Sequence, residues 1–126
     1  MSYNLTAFNN NPELANSPGV LYHIVLVDKK SHLRECIKIG IAKGTTWQAA
    51  VKRAKGFKHY DLRIQKVVSG TLRQVYNLEQ YLHDKYKDFQ HIPKHDFGGK
   101  TECFDLSINK LVLKELKELN DLSNFS

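Results

Sequence analysis

Tyr22 and Lys38 stand inside the two most strand-like stretches of the chain, GVLYHIVL (19–26) and IKIGIAK (37–43). A phenol in a strand can be simple packing. An ammonium between Ile37 and Ile39 is odder, because burying its charge unpaired is costly, so Lys38 has to reach solvent or an anion. Gly40, two residues on, lets another backbone or a ligand come close.

Three further groups could do chemistry. Tyr76, Glu79 and His83 are spaced i, i+3, i+7, which puts them on one helix face beside the apolar stripe of Val75, Leu78 and Leu82. That face is either solvated or a place where a carboxylate bordering the core holds a hard cation through oxygen. Arg53 lies among Lys52, Lys55, Lys58 and His59. This is a solvated basic flank, or a phosphate site in which the planar guanidinium fork matches phosphate oxygens. His91, His95 and Cys103 offer three nitrogen or sulfur donors, one short of a structural zinc site, and Pro93 stands between the two imidazoles.

The elements that must position these groups follow from the pattern. VLYHIVLVD (20–28) is rich in β-branched and aromatic residues, and LRECIKIGIA (33–42) alternates Leu33, Glu35, Ile37, Ile39 and Ile41 with Arg34, Cys36, Lys38 and Gly40. A short polar link, KKSH, makes the two a hairpin, with Tyr22 on the side of Ile24 and Leu26. Thr45 or Thr46 can cap a helix ending at Gly56. DLRIQKVVSG (61–70) reads as a third strand. Thr71 opens a long helix to about Phe89, with Val75, Leu78, Leu82 and Phe89 as its stripe. Residues 91–104 form a loop closing on a short extended piece. Ser107 caps a last helix, 107–122, with Ile108, Leu111, Val112, Leu119 and Leu122 inward. The expected fold is α/β in the broad sense (α+β): a three-stranded, mostly antiparallel sheet flanked by helices. Residues 1–18 read as an N-terminal arm, 19–106 as the domain, and 107–126 as a C-terminal helix packed on it.

The chain has 126 residues and a formal net charge of +6, enough for one domain with its own core and a balance that favours a polyanionic partner. Its apolar runs fall far short of the roughly 20 residues a bilayer requires, so no membrane partner is expected. The start of the chain shows no basic-then-apolar signal, and Cys36 and Cys103 read as reduced thiols. The expected location is cytoplasmic.

Five short motifs, in order, resemble the GIY-YIG nuclease superfamily, particularly the small phage and bacterial branch whose second motif reads K-I-G. GVLY ends on Tyr22, and KIG is Lys38-Ile39-Gly40, with Lys43 three residues later. Arg53 falls on the following helix, Glu79 lies in NLEQYLHDKY, and TECF (101–104) closes the region. The resemblance covers residues 19 to about 106. It implies a metal-dependent endonuclease, a hydrolase acting on DNA. Tyr22, Lys38, Lys43, Arg53 and Glu79 would surround the scissile phosphate, and Glu79 would hold Mg2+ or Mn2+. Lys52, Lys55, Lys58, His59 and His83 would be the nucleic-acid contacts. Lys38 occupies the position of the tyrosine proposed as general base in the wider family, so the base is left open. A catalytically idle module that only grips nucleic acid is the alternative. A homodimer is one way for a single site per chain to cut both strands. Glu102, in TECF, is the rival carboxylate and is read as structural or as a support behind the metal ligand, since it lies in a closing segment.

Overall fold

The computed structural model describes residues 3–48, 55–95 and 100–126. Among these, β1 (Pro18–Asp28), β2 (Arg34–Lys43), β3 (Tyr60–Thr71) and β4 (Cys103–Asp105) form one sheet in the order β3-β1-β2-β4. All its pairings are antiparallel. The helices are α1 (Leu5–Asn10), α2 (Pro12–Asn16), α3 (Leu72–Lys85) and α4 (Asn109–Lys117). The sheet therefore has four strands, one more than expected. The addition is the short extended piece at 103–105, which is too brief to show alternation yet pairs with Cys36, Ile37 and Lys38.

β1 is central and covered on both faces, so it is buried at every residue after Pro18. Period-two alternation sorts its side chains. Leu21, Val25 and Val27 join Ile37 and Ile39 of β2 under Leu72, Val75, Leu78 and Leu82 of α3. Val20, Tyr22, Ile24 and Leu26 join Cys36 and Ala42 against Phe57, Tyr60 and Cys103. Phe8 of α1 and Ala15 of α2 enter the first cluster, and Phe8 meets Tyr76 edge-on.

Thr71 caps α3 as expected. Its hydroxyl accepts from the Gln74 N–H and the Gln74 side chain accepts from the Thr71 N–H, a reciprocal box satisfying two otherwise orphaned donors. The helix stops at Lys85, a turn earlier than expected, and a 3-10 turn follows over Lys87–Phe89. Phe89 thereby leaves the stripe and is 45% exposed. The last helix is also shorter than 107–122. Asp105, not Ser107, accepts from the opening turn, and Leu111 points outward while Val112 and Leu116 are buried. The helix expected up to Gly56 lies largely outside the described residues. No helix among the described residues is long and apolar enough to cross a membrane.

On the α4 side of β1, His23 is fully buried. Its Nε2–H donates to the Asn109 side-chain oxygen at 2.7 Å, and Gln65 of β3 meets the Asn109 amide. Nδ1 has no partner. Burial pushes the imidazole pKa down to about 4, only partly opposed by the Asn109 contact. A folded-state pKa below the ordinary 6.5 means the fold holds the neutral ring. Its contribution is then complete above about pH 6.5 and is lost as pH falls toward 4, amounting to about 3 kcal/mol. Denaturant titrations at pH 7 and 4.5 should show this loss, and His23→Gln should remove most of the difference. An equal pH slope in both proteins would contradict the assignment.

Candidate functional site

The hairpin register sets Gly40 opposite Tyr22 and Lys38 opposite Ile24. Tyr22 and Lys38 share one face and meet over Gly40. The Lys38 ammonium donates to the Tyr22 hydroxyl at 2.7 Å and lies 4.7 Å from its ring centre. The same ammonium pairs with Glu102 at 2.6 Å. The anion that Lys38 requires is thus Glu102, supplied from the residue just before β4. Lys38 is only 3% exposed. Burial alone would drive its ammonium neutral, but the Glu102 carboxylate and Tyr22 outweigh burial and hold its pKa above the ordinary lysine value. Tyr22 moves the other way from what a general base needs. Burial raises its pKa more than Lys38 lowers it.

Gly40 makes the crossing possible. A Cβ there would sit 2.5 Å from the Tyr22 hydroxyl and 2.6 Å from the Lys38 ammonium. The close approach expected at this glycine is made by the protein's own side chains. Gly40→Ala should cost about 1–3 kcal/mol by overpacking and push the Lys38–Tyr22 pair apart. Thermal melting checks the first effect. Wild-type stability in the variant would mean that the pair moves freely.

β4 covers β2 only as far as Lys38. Beyond it a cavity of about 340 Å³ opens, lined by Ile41 of β2, Tyr76, Glu79, Gln80 and His83 of α3, Thr101, Glu102 and Tyr3. Ile39, the first residue past the β4 pairing, gives its carbonyl to His83 Nε2–H at 3.0 Å. That bond fixes the tautomer and leaves Nδ1 as the ring's acceptor. Burial lowers the His83 pKa, so the ring is neutral near pH 7. Glu79 is 5% exposed and one of its carboxylate oxygens, Oε2, is buried with no partner. Its other oxygen accepts from Gln80 at 3.3 Å. Burial, then the neighbouring Glu102 charge, push the Glu79 pKa up to about 8, with Lys38 opposing.

A second polar cluster lies toward the opposite end of the hairpin. Glu35 accepts from the Tyr60 hydroxyl at 2.9 Å, from His91 Nε2 at 3.0 Å and from the Lys94 N–H at 2.9 Å. Burial opposes ionisation of Glu35, yet these bonds prevail and its pKa is lowered. Glu35, Cys36 and His91 bring an oxygen, a sulfur and a nitrogen within 4.8 Å of one another, a triad able to hold a divalent metal ion. His95 stands apart from it, stacked on His59 at 4.2 Å and 3.5 Å from Asp28.

The pocket therefore brings together Glu79 and His83 and adds Glu102, while Lys38 and Tyr22 lie outside its lining and are joined to it through Glu102. Lys43 is exposed at the far end of β2, opposite Gly19, whereas Tyr60, next to Lys58 and His59, is opposite Asp28. Nine strand residues, about 30 Å, separate those two ends. Lys43 and the Lys58–His59 pair therefore cannot hold the same phosphate. Lys52 and Arg53 lie outside the described residues, and Lys55 begins the 3-10 turn that carries Lys58 and His59.

No family model matches this chain, and no significant similarity to a curated protein or a solved structure was found. The described residues form a mixed α+β fold with a four-stranded antiparallel sheet, an acidic pocket at the sheet margin and a Glu/Cys/His cluster able to hold a metal ion.

Proposed function

We propose that this protein is a metal-dependent endonuclease of the GIY-YIG type that hydrolyses phosphodiester bonds in DNA, with Glu79 as the metal-holding carboxylate. The supporting observation is the pocket in which Glu79, with a buried and unpartnered oxygen, shares the lining with Glu102. Two carboxylates lining one cavity repel each other and would repel a phosphate. A divalent cation between them and the phosphate removes both penalties, and hard oxygen donors suit magnesium or manganese. Such an ion would supply positive charge to the phosphoryl oxygens and acidify water.

The remaining roles belong to the chain itself. Lys38 donates to the Tyr22 oxygen, so the Tyr22 proton is free to donate away from it, toward a phosphoryl oxygen. Tyr22 then orients the phosphate and is not the base. His83, neutral and with Nδ1 as acceptor, is the group in the pocket suited to take a proton from water. Lys38 keeps Glu102 in place as its partner. Arg53 is assigned to the transition-state oxygens by the resemblance alone.

The idle binding module is favoured by one observation: Lys38 is committed to Tyr22 and Glu102. Incubation of supercoiled plasmid with the protein separates the two readings. Nicking that requires Mg2+ or Mn2+ and stops with a chelator supports the nuclease. Salt-sensitive DNA binding without nicking in either metal would establish the idle module instead.

A further inference from the structure

We propose that Glu35, Cys36 and His91, with Cys103 as the fourth donor, form a zinc site that fastens β4 and the 91–95 segment to β2. The inference is independent of the nuclease reading. Its donors come from three separate parts of the chain. Glu35 and Cys36 start β2, His91 follows α3, and Cys103 starts β4. The Cys36 thiol is hydrogen-bonded to Cys103, and neither forms a disulfide. The backbone also ties the pieces together, since the His91 N–H donates to the Cys103 carbonyl at 2.9 Å.

Geometry and donor chemistry point to the same ion. Zinc bonds of roughly 2.0–2.2 Å to nitrogen and oxygen place two tetrahedral ligand atoms about 3.3 Å apart. The His91 nitrogen and the Glu35 oxygen are already 3.0 Å apart. The set of three spans no more than 4.8 Å, so a contraction of about 1 Å completes zinc-like spacing. Thiolate and imidazole donors select zinc over magnesium, in contrast to the carboxylates of the Glu79 pocket. Glu35 and His91 are partly exposed, which gives an ion a route to the fully buried sulfurs.

The proton balance is simple. Each thiol releases one proton to solvent as its sulfur–zinc bond forms. A neutral His91 moves its proton to Nδ1 and binds through Nε2. Glu35 binds as the carboxylate and keeps the Tyr60 and Lys94 hydrogen bonds on its flanks. No electron is transferred. The site sits one residue from Glu102 and two from Lys38, so it fixes the strand that carries the Lys38–Glu102 pair.

The test is titration of the chelator-stripped full chain with Co2+, then Zn2+. One equivalent of cobalt should produce tetrahedral visible bands and a thiolate-to-cobalt charge-transfer band, and zinc should displace it and raise the melting temperature. Cys36→Ser should weaken the charge-transfer band, since Cys103 still supplies one thiolate, and Cys36→Ser combined with Cys103→Ser should abolish it. A buried serine also burdens folding, so His91→Ala provides a second route, with affinity expected to fall about tenfold or more. Glu79→Gln should leave the signal intact. Absence of the charge-transfer band, unchanged affinity in His91→Ala, or loss of the signal in Glu79→Gln would each overturn the site. The last would place the ion in the carboxylate pocket. Magnesium-dependent nicking is read separately, so failure here leaves the nuclease reading standing.

Discussion

Glu79→Gln is expected to lower metal-dependent DNA cleavage by ~100-fold or more, in the range seen when one strong electrostatic group is removed from a transition state. DNA affinity should hold or tighten, because a potential negative charge near phosphate has gone. The fold should be indifferent to the change. Burial and Glu102 already hold the Glu79 carboxyl well above the ordinary carboxylate range, and an amide reproduces a protonated carboxyl closely. Nicking rate, binding and thermal melting measured on one preparation separate the three effects. Full activity in Glu79→Gln, or metal dependence lost only in Glu102→Gln, would move the ligand role to the other carboxylate.

The second large effect is expected on stability. Lys38→Met removes a buried cation and leaves the Tyr22 hydroxyl and Glu102 without it. Glu102 is 31% exposed, so water compensates part of the loss, and about 3 kcal/mol is expected, at the lower end for a broken buried pair. Glu102→Gln in the same chain should recover part of it, since the neutral amide no longer faces Glu79 as a second charge. Urea unfolding of the two single variants and the double closes the cycle. Strict additivity would mean that Lys38 and Glu102 are neighbours without energetic coupling.

The hairpin was readable because its two strands alternate cleanly, and the parity that placed Tyr22 with Ile24 and Leu26 is the one in the core. Parity also marked Lys38 as a cation that must reach solvent or an anion. It could not name the anion, because Glu102 ends the 3-10 turn Lys100–Glu102 directly before a three-residue strand, where no period exists to read. For the same reason the short extended piece that closes the 91–104 loop gave no sign that it pairs with β2 as a fourth strand. Phe89 and Leu111 fit helical stripes but fell on the wrong side of where the helices end or turn, and helix ends are decided by caps such as Asp105. The Glu35 cluster draws Tyr60, His91 and Lys94 from separate elements, and only folding reveals it.

The distances along the chain within the Lys38 network also set an order of assembly. Lys38 and Tyr22 are 16 residues apart and meet as soon as the hairpin closes, whereas Glu102 is 64 residues from Lys38. Closing the longer loop costs more entropy and waits for β4 to dock. On a ribosome, a chain that has emerged only through α3 therefore carries Glu79 but not Glu102, which is both its acidic neighbour and the carboxylate that neutralises Lys38. The pocket is complete only once Thr101 and Glu102 are in place beside β4, so on the proposed reading the nascent chain gains its site only after β4 has docked.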